Sequence, residues 1–190
     1  MNSKLKGEIQ NEVVDASSRF EASLPVSSDA LMALLDKWHI NYACYNHEPL
    51  KTVAESKIVQ TKFLSAKEGG GHIKNLYLRD HKKNQILLIS EQDCIIDLKK
   101  LRYTLGVGRL SFGSSQRLFE NLGVRSGAVT PFSMITGVNK GVNLFIDTKL
   151  KCCVKIYAHP MVNDKTLELS MSHLEVFFKK VGAVPNWVNL

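Results

Sequence analysis

Three short segments combine residue types that could do chemistry. The first is Gly69-Gly70-Gly71-His72-Ile73-Lys74-Asn75. Three residues without side chains let a backbone come close to a ligand, and a lysine and an asparagine follow at once. Lys74 alternates with Leu76 and Leu78 along a predicted strand, so the three share one face. An ammonium on an apolar face needs a cleft, a counter-charge or an anionic ligand. The segment lacks the Gly-x4-Gly-Lys-[Ser/Thr] spacing of a P-loop, and it does not open a helix as a GxGxxG turn does. Without a ligand it would be a flexible loop ahead of a hairpin. The second segment is Gly127-Ala128-Val129-Thr130-Pro131. Glycine and proline four residues apart frame a rigid loop, either a structural turn or a set of N–H groups lining a small site. The third is Ala158-His159-Pro160, where the proline holds His159 extended as a pocket wall, an acid/base or a structural group.

Other chemistries find no pattern. There is no Ser/His/Asp order with a Gly-x-Ser-x-Gly elbow, and no His-x3-His or carboxylate cluster for a metal. No cofactor and no metal are expected. Cys44, Cys94, Cys152 and Cys153 form no CxxC pair and are expected to be free thiols, with Cys152 and Cys153 alternating across a strand.

The elements that position these segments follow from periodicity. Ser28 or Asp29 caps a helix with Leu31, Leu34, Leu35 and Trp38 on one side. A strand is expected around Ile40–Tyr45, and Thr52-Val53-Ala54-Glu55 opens a second helix. Two strands joined at His81-Lys82-Lys83-Asn84 form a hairpin. Asp97 caps a helix that ends at Gly106. Arg109–Phe112 is a short strand, and Ser114 caps a helix that ends at Gly123. Val142–Ile146 and Val154–Tyr157 are strands. Ser172-His173-Leu174-Glu175 is expected to cap a last helix closed by Gly182. Helices and strands in this order predict an α+β domain with a mixed, largely antiparallel central sheet surrounded by helices.

The chain has 190 residues, enough for one domain with a sizeable core. Residues 1–27 are polar and are expected to be an extension, a tail or a loosely docked helix, with the domain at 28–190. No stretch approaches the ~20 apolar residues of a membrane span. The N-terminus lacks the apolar core of a signal peptide, so a cytoplasmic location is expected. Lys and Arg number 25 against 18 Asp and Glu, a net charge of +7, which favours a polyanionic partner such as nucleic acid.

Taken together and in order, these segments resemble a known family. Gly70-Gly71-His72-Ile73-Lys74-Asn75-Leu76-Tyr77-Leu78-Arg79-Asp80 is similar to the signature of the prolyl-tRNA synthetase-associated domain, part of the YbaK-type aminoacyl-tRNA deacylase superfamily. Arg109-Leu110-Ser111-Phe112-Gly113-Ser114, the run from Leu122 to Phe132, and His159-Pro160-Met161-Val162-Asn163 resemble its later motifs. The likeness spans residues 28–190 and is nearest to free-standing PrdX- or ProX-type members. It implies a trans-editing deacylase that hydrolyses the ester of mischarged Ala-tRNA(Pro). Alternatives are a deacylase for another mischarged tRNA such as Cys-tRNA(Pro), or a non-catalytic tRNA-binding or regulatory module.

The resemblance implies a catalytic set of Lys74, Gly127, Thr130 and Pro131, and substrate binding by Gly71, His72, Asn75, His159 and Asn163. Lys74 would neutralise the terminal phosphate or ribose region, and Asn75 would orient Lys74 or the ribose. The Gly127–Pro131 loop would offer N–H groups to the aminoacyl carbonyl, and His159 would wall the amino-acid pocket. Lys51, Lys57, Lys62 and Lys67 run along the second helix into the glycine segment and are expected to meet the acceptor stem. The implied partners are the acceptor end of tRNA(Pro) and prolyl-tRNA synthetase, the chain itself acting as a monomer without a membrane. Two departures stand out: Ile73 where the family has Thr, and Asp164-Lys165-Thr166-Leu167-Glu168 in place of a Thr/Ala-rich run.

Overall fold

A computed structural model describes residues 14–50 and 53–190. In chain order the elements are α1 (Ser28–Lys37), β1 (Ala43–Asn46), α2 (Val53–Gln60), β2 (Gly70–Asp80), β3 (Gln85–Glu91), α3 (Leu98–Thr104), β4 (Leu110–Phe112), α4 (Ser115–Leu122), α5 (Met134–Gly137), β5 (Asn143–Asp147), β6 (Lys155–Ala158), β7 (Lys165–Leu169), α6 (Met171–Val181) and β8 (Asn186–Val188). Short 3-10 turns link several of them. The strands form one mixed sheet in the order β1-β7-β6-β2-β3-β5-β8, with β4 also on β2. The β1–β7, β7–β6, β2–β3 and β2–β4 pairings are antiparallel; β2–β6, β3–β5 and β5–β8 are parallel. This is the expected α+β architecture.

Strand β2 organises the molecule because its alternating residues feed two cores. Tyr77, with Leu87 and Ile89 of β3 and Leu144 and Ile146 of β5, faces a large cluster built from α1, α4, α5 and α6. Leu31, Leu35, Phe132 and Phe177 are fully buried there. Each such side chain contributes roughly 1.5–3 kcal/mol of burial free energy. Leu78, with Ile86 and Leu88, faces a smaller cluster closed by Leu101 and Leu105 of α3. Helix ends follow their caps: Ser27, Asp97 and Ser114 accept from the first-turn amides of α1, α3 and α4, and Gly123 closes α4 at φ +68°.

The structure corrects several expectations. The glycine run is not a loop. Gly70 and Gly71 are the first, buried residues of β2 and pair with Lys155 and Ile156 of β6. A Cβ on Gly70 would lie 1.9 Å from the Leu64 carbonyl oxygen, so the glycines serve close backbone packing. Cys152 ends a 3-10 turn, Thr148–Cys152, and Cys153 follows it, so the two do not alternate on a strand. All four thiols are free. The cap of α6 is Ser170, two residues before the expected Ser172. The first strand starts at Ala43 rather than Ile40. β7 and β8 carried no expectation. Helix α2 begins where Thr52–Glu55 places it, while Thr52 and Lys51 lie outside the described residues.

Residues 14–27 are tied to the domain. The Asn163 N–H donates to the Ala16 carbonyl at 2.9 Å. Ser18 donates through N–H and hydroxyl to Asp164 at 3.0 and 2.6 Å. Arg125 reaches the Phe20 carbonyl and the Ser23 hydroxyl.

Two glycine substitutions test the packing argument. Gly70→Ala forces backbone apart and is expected to cost about 3 kcal/mol. Gly106→Ala meets nothing within 4 Å and carries only the strain of φ +64°, about 1 kcal/mol. Urea unfolding ranks the two, and equal losses would contradict the close-approach argument.

Candidate active site

The site sits where one edge of β2 changes partners. β3 runs along the other edge from Ile73 to Arg79. On this edge β6 pairs only with Gly70–His72 and β4 only with Leu78–Asp80. Between them Ile73–Tyr77 has no strand partner there among the described residues, and the Gly127–Pro131 loop fills the gap. Asn75 Nδ2 donates to the Val129 carbonyl at 3.0 Å, latching loop to strand.

The loop is rigid for local reasons. Gly127 sits at φ +95°, with Asn163 Nδ2 3.6 Å from where a Cβ would be. Thr130 is extended and caps a 3-10 turn, its hydroxyl accepting from the Phe132 N–H, and Pro131 supplies the fixed φ of the first position. Ser133 Oγ donates to the Thr130 carbonyl at 2.6 Å. Asn163 is buried behind the loop, and its Nδ2 donates to the Leu50 carbonyl at 2.9 Å.

Beside the latch lies a cavity of about 60 Å³ lined by Leu50, Val59, Gln60, Phe63, His72, Ile73, Asn75, Gln92, Tyr157, Ala158, His159 and Thr166. A buried water needs roughly 10–15 Å³ by a comparable measure, so the space holds a group a few atoms across. One wall is a three-ring stack. Tyr157 lies parallel to Phe63 at 4.5 Å and to His72 at 5.0 Å. The Leu64 peptide fixes that stack, its N–H donating to Tyr157 Oη at 3.0 Å and its carbonyl accepting from His72 Nε2 at 2.8 Å. Gln60 and Gln92 exchange side-chain amide bonds across the rim.

Carbonyl partners fix the histidine tautomers, because a carbonyl oxygen only accepts. His72 donates through Nε2, leaving Nδ1 as an acceptor. His159 donates through Nδ1 to the Lys165 carbonyl at 2.9 Å. His47 donates through Nδ1 to the Glu48 carbonyl, and its Nε2 accepts from the Thr166 hydroxyl. His72 Nδ1 and Asn75 Oδ1 are buried and make no hydrogen bond to any described residue. Both side chains line the cavity, while these two atoms themselves are covered by the fold.

Of the residues expected from sequence, the structure brings His72, Asn75 and His159 into this wall, with Gly127, Thr130 and Pro131 in the adjoining loop. Gly71 lies behind the wall, packed against Ile156. Lys74 is half-buried beside the cavity rather than in its lining. Its ammonium donates to the Cys94 carbonyl, two residues after Gln92 of the rim. Asn75 holds the loop instead of Lys74. Lys57, Lys62 and Lys67 are exposed, and Lys57 pairs with Asp93 at 3.0 Å. Sequence reasoning missed Phe63, Tyr157, Gln60, Gln92 and Thr166. The one signal for them was the departure at Asp164–Glu168, which contains Thr166.

Burial holds the His159 imidazole below its ordinary pKa of 6.5, and nearby His47 adds to the effect. The folded chain therefore binds fewer protons at His159 than the unfolded chain does. This contribution to stability is complete above pH 6.5 and is lost as pH falls through the lowered value. Unfolding midpoints measured from pH 7.5 down to pH 5 are expected to drop less steeply for His159→Gln than for the wild type. Identical slopes would contradict the lowered His159 pKa.

Comparison with known proteins agrees with this geometry. The model of the aminoacyl-tRNA editing domain matches residues 47–177. The chain is 34% identical over 159 residues to the prolyl-tRNA editing protein ProX of Acetoanaerobium sticklandii, covering 82% of this chain and 93% of that one. It is 32% identical over 162 residues to prolyl-tRNA synthetase associated domain-containing protein 1 of Xenopus laevis, covering 82% and 92%. Among solved structures, a candidate trans-editing enzyme for prolyl tRNA synthetase superimposes with a TM-score of 0.62 at 17% identity, over 86% of this chain and 96% of the other. A cavity of aminoacyl size, a loop latched to the lysine-bearing strand and these relatives lead to one conclusion: the chain belongs to the aminoacyl-tRNA editing domain family.

Proposed function

We propose that this protein hydrolyses the ester bond of Ala-tRNA(Pro) in trans, beside a prolyl-tRNA synthetase. The observation that carries the reading is the small cavity beside the Gly127–Pro131 loop, walled by Phe63, His72, Asn75, Tyr157 and His159. A synthetase pocket built for proline rejects the smaller alanine poorly, since each missing methylene is worth about 1–3 kcal/mol. A second site bounded by Phe63, Tyr157, Ala158 and His159 admits alanine and excludes the proline ring by size.

The remaining roles follow from placement. The Val129 and Thr130 amides make no bond to another described residue and offer N–H groups to the carbonyl oxygen as it gains negative charge. Lys74, at the mouth of the cavity, takes the terminal phosphate or ribose region, an anion for its ammonium. An ester is already activated, and the ribose hydroxyl next to it activates water. Lys57, Lys62 and Lys67 meet the acceptor stem, Lys57 exchanging Asp93 for phosphate at little cost because exposed ion pairs are weak. Lys51 carries the same expectation but lies outside the described residues.

Deacylation of Ala-, Cys-, Ser- and Pro-tRNA(Pro) by purified protein tests the reading. Ala-tRNA(Pro) is expected to be hydrolysed fastest and Pro-tRNA(Pro) spared. Lys74→Ala is expected to abolish turnover with an unchanged circular dichroism spectrum. Turnover of Pro-tRNA(Pro) equal to that of Ala-tRNA(Pro), or full activity of Lys74→Ala, would overturn it. Removing Lys57 of α2 with Lys62 and Lys67 after it is expected to weaken tRNA binding and to flatten its dependence on salt.

A further inference from the structure

Two buried polar side chains lie away from the cavity and are used by nothing described above. Ser90 and Asp147 are both 0% exposed. Ser90 Oγ and Asp147 Oδ2 make no hydrogen bond to any described residue. A desolvated carboxylate oxygen without a donor is costly, so such a pair calls for an explanation.

The sheet register supplies one. Lys74 of β2 stands directly opposite Ser90 of β3. One step beyond the Ile89–Ile146 pair, Ser90 neighbours Asp147 of β5. Paired residues share a face, so Lys74, Ser90 and Asp147 form a row across three strands. Packing agrees: Leu76, Leu78, Ile86, Leu88 and Phe145, which alternate with these three, all belong to the smaller core. The backbones of Lys74 and Asp147 are roughly 10 Å apart, two strand spacings, a gap that a lysine stem reaching inward and a serine hydroxyl fill between them. The nearest cation in sequence to Asp147 does not serve it, since the Lys149 ammonium donates to the Leu190 carbonyl.

We propose that Ser90 and Asp147 are positioning residues for Lys74, forming an anionic berth inside the smaller core. The Lys74 ammonium has two stations: the Cys94 carbonyl at the cavity mouth, as described, and the Ser90–Asp147 row behind it. The carboxylate attracts the ammonium and limits its travel to the line between berth and cavity. The Asp147 charge thereby acts on the substrate through Lys74, without touching it. The catalytic meaning of the row rests on the deacylase reading above; its existence does not.

Asp147 also caps the 3-10 turn Thr148–Cys152, its Oδ1 accepting from the Lys149 N–H at 3.1 Å. The choice of variant separates the two duties. Asp147→Asn keeps a good cap and removes the charge, Asp147→Ala removes both, and Ser90→Ala breaks the row without touching the cap. Two readouts are taken on each variant: kcat/KM for Ala-tRNA(Pro), and the Cε–Hε NMR signal of Lys74, assigned with Lys74→Arg. Asp147→Asn is expected to keep the wild-type unfolding midpoint, shift the Lys74 signal and lower kcat/KM about 10-fold or more. Ser90→Ala is expected to move the same signal and lower the rate by less. Wild-type kcat/KM and an unmoved Lys74 signal in both Asp147→Asn and Ser90→Ala would overturn the proposal and leave Asp147 as a cap alone. If the wild type fails to deacylate Ala-tRNA(Pro) while the Lys74 signal still moves, the berth stands and the deacylase reading falls. Should Asp147→Asn not fold, Ser90→Ala alone decides on the same two readouts.

Discussion

The hydrogen bond from Asn75 to the Val129 carbonyl holds the site together. Strand β2 pairs with β6 at one end and β4 at the other, and between them its edge has no strand beside it. Exposed strand edges invite pairing with another chain and are normally covered. Here the cover is the Gly127–Pro131 loop, and one side-chain amide fastens it. Breaking that bond frees the Gly127–Pro131 loop, while β2 stays paired with β3 and β6. The left-handed Gly127, the Thr130 cap, the buried Asn163 and the docked residues 14–27 all support the same few backbone groups.

Charge is kept apart from the cavity. No Asp, Glu, Lys or Arg lines it, and its polar groups are amides, hydroxyls and imidazoles. The cations stay on the rim and the surface, where the polyanionic part of a tRNA would lie. A neutral, desolvated cavity strengthens each hydrogen bond made to a developing oxyanion, whereas rim cations act over a distance and are screened by salt. In the proposed function, size selection belongs to the cavity and affinity to the rim.

Much of this was legible in the sequence where the signal is local. The α1 stripe of Leu31 and Leu35, the caps of α3 and α4 and the face shared by Lys74, Leu76 and Leu78 are fixed by neighbours within a few residues. What was missed depends on distant partners. Gly70 and Gly71 look like a loop until Leu64 and β6 are packed against them. Lys165–Leu169 becomes β7 because β1 and β6 flank it. The ring stack of Phe63, Tyr157 and His72 joins residues separated widely in sequence, and no periodicity announces it. Asn75 was expected to serve Lys74 or the ribose, yet it fastens a loop more than fifty residues away.

The central claim is that the alanyl group enters the cavity beside the latch while the nucleoside stays outside. A crystal structure with the non-hydrolysable amide of alanine and 3′-amino-3′-deoxyadenosine tests this directly. The account predicts the methyl against Phe63 and Tyr157 and the carbonyl oxygen at the Val129–Thr130 amides. An alanyl group outside this cavity, or a nucleoside inside it, would contradict the account.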